Sequence, residues 1–104
     1  MKEMILAVGV EDYTIKYFRT QGELICQVNG EATNVFGILA TKYINDQEKE
    51  SMDAGFISQD INYVNEIINL LGKNIVTPVV LCEIIDEIIS QLQWIDDTAQ
   101  PLFS

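Results

Sequence analysis

Hydrophobic and polar residues alternate along the first third of the chain. Tyr13, Ile15 and Tyr17 are separated by Thr14 and Lys16, and Leu24, Cys26 and Val28 are separated by Ile25 and Gln27. A period of two puts one set of side chains on each face of an extended strand. Strands are therefore predicted over Met4–Val10, Tyr13–Arg19 and Glu23–Val28, with tight turns at Glu11–Asp12 and Gln21–Gly22. Together they read as a three-stranded antiparallel meander over about residues 4–28, one face of which needs a cover.

The period then lengthens. Ala32, Val35, Phe36, Leu39, Ala40 and Tyr43 follow helical spacing and predict a helix over 31–44. Asn29–Gly30 argues the other way, because Asn-Gly favours a hairpin turn and would make 31–36 a fourth strand. The helical spacing is the closer match and sets the expectation. Residues 45–55 have no apolar period and read as an exposed loop. Ile61, Val64, Ile67, Ile68 and Leu71 predict a second helix over 59–71, with Ser58 as its cap and Gly72 as its stop. Thr77 as N-cap and Pro78 at the first helical position open a third, over 78–95. The expected fold is α+β, a single domain over 1–104 in which three C-terminal helices cover the meander.

Charge narrows the functional classes. Sixteen acids stand against six bases, with no His, for a net charge of −10. Residues 51–104 carry eight of the acids and a single base, Lys73. So few cations exclude a direct nucleic-acid contact, which needs Lys and Arg to neutralise phosphates, and disfavour an anionic membrane surface. The uncharged runs fall well short of the roughly 20 residues that span a bilayer, and the N-terminus lacks a cleavage site, so a cytoplasmic protein is expected. Cys26 and Cys82 lie in apolar runs without a C-x-x-C pattern and are expected as buried, reduced thiols. No phosphate-binding glycine loop or triad is present, so neither an enzyme nor a cofactor or metal is expected.

The third predicted helix contains the stretch VVLCEIIDEIISQLQWIDD, with five acids and no base. Asp96 and Asp97 stand near its C-terminus, where the helix dipole disfavours exposed acids by about 0.3–1 kcal/mol each. The helix's own stability therefore does not account for its charges. Either solvation or a partner does. Glu83, Asp86, Glu87, Trp94, Asp96 and Asp97 are the candidate partner-binding residues, with Trp94 as the anchor. Asp46, Glu48, Glu50 and Asp53 form a second candidate acidic cluster in the expected loop. Their alternation is unlike a calcium loop, because Ser51 and Ile57 stand where the bend and the bidentate ligand belong. Gln100, Leu102 and Phe103 resemble the short peptide that bacterial replication proteins insert into the sliding clamp, with one residue fewer in the spacing. The expected use of that tail is to tuck onto the core.

These features point to an acidic inhibitor of a basic protein, such as a nuclease toxin or nucleic-acid-binding enzyme. An immunity protein or antitoxin would act this way, as would a phage-type anti-defence mimic of nucleic acid. The alternative is a structural subunit acting as a homodimer through apolar patches.

Overall fold

A computed structural model describes the backbone of residues 2–99 and the side chains of residues 2–91. Four strands come first: β1 (Lys2–Val10), β2 (Tyr13–Ile25), β3 (Ala32–Ile44) and β4 (Gln47–Ser58). They form one antiparallel sheet in the order β1-β2-β3-β4. Helix α1 (Ile61–Lys73) follows, then a 3-10 turn over Pro78–Val80 that runs directly into α2 (Leu81–Ala99).

This corrects the expected three strands over 4–28 and three helices over 31–44, 59–71 and 78–95. The second and third expected strands are one strand, β2. Gln21 and Gly22 do not turn; they pair with Phe36 and Val35. The turn lies further on, where the Cys26 amide donates to the Glu31 carbonyl at 2.8 Å and the Gly30 amide to the Cys26 carbonyl at 2.7 Å. Asn29–Gly30 was thus the better signal, and 31–36 leads into a strand. The expected helix over 31–44 is β3, the strand between β2 and β4. Its residues 35–38 are all buried. Phe36, Ile38 and Ala40 face the core while Val35 and Leu39 stand on the other side, so apolar residues fall at successive positions and satisfy helical spacing by coincidence.

The expected loop over 45–55 is a two-residue turn followed by an edge strand. Asn45 and Asp46 both have positive φ, 54° and 66°, a backbone that Asn and Asp tolerate and tight hairpins require. β4 shows no alternation because its register with β3 slips at three places, each slip inserting an extra residue.

The core lies between one face of the sheet and the helices. Ile15, Tyr17, Phe36, Ile38 and Ala40 from the sheet meet Val64, Ile67, Ile68 and Leu71 from α1 and Leu81 and Ile85 from α2. α1 starts at Asp60, whose carboxylate accepts from the Asn62 amide at 2.9 Å and the Tyr63 amide at 3.3 Å. That cap stands two residues after the expected Ser58. Near the other end, Gly72 has no side chain because Leu6 of β1 occupies the space; any Cβ there would collide with it. The Tyr17 hydroxyl donates to the Val76 carbonyl at 2.6 Å, with the Leu71 carbonyl 3.3 Å away. This joins the sheet to the end of α1 and the connection to α2. Burial pushes the Tyr17 phenol up to about 12.

The opposite face of the sheet has no covering layer among the described residues, and the molecule is 18 Å along its thinnest axis. Beyond Thr20 and Phe36 the hairpin of β2 and β3 extends as a two-stranded arm, since β1 pairs no further than Thr20 and β4 no further than Phe36.

Candidate functional site

The six basic residues decide where negative charge is left unbalanced. Four of them sit over aromatic rings of the sheet: Lys2 over Phe18 at 4.7 Å, Lys16 over Tyr43 at 4.5 Å, Lys42 over Tyr13 at 4.6 Å and Arg19 over Phe36 at 5.9 Å. Arg19 also donates to Asn65 at 2.7 Å and makes the sole salt bridge among the described residues, with Glu3 at 3.2 Å. Lys49 donates to Gln47, and Lys73 closes α1. None of these cations pairs with Glu83, Asp86 or Glu87, the acids of α2 whose side chains are described.

Glu83, Asp86 and Glu87 are exposed on α2. Their spacings of three and four residues make them neighbours along one crest of the helix. A groove of about 440 Å³ runs along one flank, lined by Ile75, Val76, Val80, Ile84, Ile88 and Glu87 among others. A smaller one of about 210 Å³ runs along the other flank, where Asp86 joins Cys82, Ile85 and Ile89 with Ala54, Phe56 and Ile57 of β4. The crest therefore stands between two grooves of mixed polar and apolar lining, with an acid on the wall of each.

Two exposed residues near the start of α2, of which Ile75 lines the larger groove, escaped sequence reasoning. Val79 is 68% exposed in the 3-10 turn, one helical turn before Glu83. Ile75 is 40% exposed and has φ +51°, a left-handed backbone that is costly for a β-branched side chain. The turn after α1 imposes it: the amides of Ile75 and Val76 donate to the carbonyls of Gly72 and Leu71. No sequence pattern signals an isoleucine there, since glycine or asparagine is the usual occupant.

Of the remaining expected residues, Trp94, Asp96 and Asp97 lie late in α2, outside the residues whose side chains are described. Gln100, Leu102 and Phe103 lie outside the described backbone as well. Asp46, Glu48, Glu50 and Asp53 do not form one surface. Register sets Glu48 beside Tyr43 and Glu50 beside Lys42, consecutive residues of β3 that point to opposite faces. Asp46 belongs to the turn, and Asp53 accepts from the Gly55 amide at 2.8 Å at a slip in β4. Both thiols are free and exposed rather than buried. Cys26 sits in the turn of the arm, where the amides of Asn29 and Val28 hold its thiol below the usual range, and Cys82 sits on the flank of α2. Short apolar runs concealed this, because neither stretch lies wholly against the core.

Among the described residues no helix is long and apolar enough to cross a membrane. Residues 2–91 match a family of unknown function, DUF6514, and the chain belongs to that family. No curated protein and no solved structure matches it.

Proposed function

We propose that this member of a family of unknown function is a binding protein rather than an enzyme, and that it docks the crest of α2 onto a basic protein and blocks it. The observation that carries this reading is the unneutralised crest of Glu83, Asp86 and Glu87 between two grooves of mixed lining. Carboxylates attract a basic surface from a distance and raise the rate of encounter. The isoleucine walls of the grooves beside them, Ile75, Ile84 and Ile88 on one flank and Ile57, Ile85 and Ile89 on the other, take aliphatic or aromatic side chains of the partner. A partner that handles nucleic acid presents the required Lys and Arg, so blocking a nuclease, as an immunity protein or antitoxin does, is the specific form of this function.

The test is affinity capture from the native source with wild-type protein and with Glu83→Lys combined with Glu87→Lys. A basic protein retained by the wild type, released by salt and lost with the double variant supports the reading. Equal recovery on both baits reduces the crest to a solvated surface.

A further inference from the structure

We propose that the uncovered face of the sheet is a contact between two copies of this chain, packed face to face about a two-fold axis that runs along the strands. Register fixes what this face displays. Met4 opposes Phe18, Phe18 opposes Leu39, and Leu39 opposes Asp53, so these four share one side. Lys2 and Lys16 are on the same side, held over Phe18 and Tyr43. Phe56 joins them, opposite Gly37, with its ring lying on Gly22. Met4 is 51% and Phe56 56% exposed, although both stand among other apolar residues. Across this face the lysines belong to β1 and β2, whereas the acids, Glu48 and Asp53, belong to β4.

That division is self-complementary under one symmetry. A two-fold axis along the strands lays β1 of one copy over β4 of the other and leaves positions along the strands unchanged. Measured along β3, Lys2 stands level with Gly37 and Asp53 with Leu39, while Lys16 stands level with Thr41 and Glu48 with Tyr43. Each lysine is therefore one two-residue step, about 7 Å, from the level of an acid, and both steps run in the same direction. Lys2 of each copy lies over the strand that carries Asp53 of the other, and Lys16 lies one strand, about 4.8 Å, to the side of the one that carries Glu48; extended lysine side chains bring each pair together. A two-fold axis across the strands would set β4 against β4 and oppose like charges. Aligned packing of this kind is how two sheets ordinarily share a core. Four strands about 4.8 Å apart and about 30 Å long give a footprint on the order of 500–600 Å² before side-chain relief. This approaches the roughly 800 Å² per partner of a standard interface.

Sedimentation of the full chain tests the contact. The expected mass is twice the 11.7 kDa of one chain. Met4→Asp places a charge on the edge strand β1, beside Phe18 and within the proposed contact, on an exposed side chain, and it should yield monomer with unchanged circular dichroism. Lys16→Glu alone and Glu48→Lys alone should each weaken the dimer about tenfold or more, and the two together should restore it. Glu83→Lys with Glu87→Lys, which tests the crest of α2, should leave the mass unchanged. A wild type that is monomeric at about 100 μM overturns the proposal, as does a dimer indifferent to Met4→Asp and to the charge exchange.

Discussion

The two helices have similar apolar spacing but divide the work of the molecule. α1 has a carboxylate cap at its start, a lysine in its last turn, and Val64, Ile67, Ile68, Leu71 and Gly72 buried against the sheet. α2 begins without a side-chain cap, has no base in its last turn, and puts Glu83, Asp86 and Glu87 in solvent. Every feature of α1 favours the helix where it stands. In α2, Glu83 stands in the first turn, where the helix dipole favours it, while Asp86 and Glu87 pair with no described cation. The difference teaches that amphipathic spacing identifies which side of a helix is buried, whereas caps and charge balance indicate how the other side is used.

The largest effect should come from α1. Ile67 is fully buried, so Ile67→Ala should destabilise the chain by about 2–5 kcal/mol in urea titration. A loss below that range would show that α1 is not the helix on which the core depends. Next comes the hydroxyl that joins β2 to the end of α1. The Tyr17 phenol ionises near 10 when unfolded and near 12 when folded, so the folded state holds its proton more tightly. The stability this represents is present in full below pH 10 and disappears as pH rises towards 12, on the order of 2–3 kcal/mol. Stability curves between pH 9 and 12 should therefore fall more steeply for the wild type than for Tyr17→Phe. Parallel curves would mean that the phenol is solvated.

Ile75 lies between the two helices and sharpens the contrast. Ile75→Gly removes the strain of a left-handed isoleucine and should raise stability by about 1 kcal/mol, while weakening partner capture through loss of a groove wall. Greater stability with undiminished capture would detach the groove from binding. The smallest effect belongs to the crest. Glu83→Lys with Glu87→Lys should move the unfolding free energy by no more than about 0.5 kcal/mol, because both side chains are exposed and neither is paired. A larger loss would give these acids a role in folding.

Residues whose neighbours are close in sequence were legible from the start. The turn at Glu11–Asp12, the apolar stripe of α1 and the start of α2 near Pro78 all follow from local chemistry. β3 and β4 were not legible, because their character comes from long-range pairing. Val35, Phe36, Leu39 and Ala40 read as helical until pairing with β2 and β4 is known, and β4 loses its alternation where its register slips. The acids of α2 were visible as an excess of charge, but the grooves beside them were not. Their walls come from Ile75 after α1 and from Ala54 and Ile57 of β4, which no spacing on α2 reveals.

The arm formed by the ends of β2 and β3 has a practical consequence. Its backbone has only one strand neighbour on each side of the hairpin, and two-stranded ribbons are marginal in water by themselves. Its amides should therefore exchange with deuterium well ahead of those in the shared sheet, with Val28, 95% exposed at the tip, among the most accessible positions. A foreign epitope or fluorophore spliced at that tip would stand clear of the core, of the acidic crest and of the uncovered sheet face, making it the natural handle for immobilising the molecule without disturbing any of them.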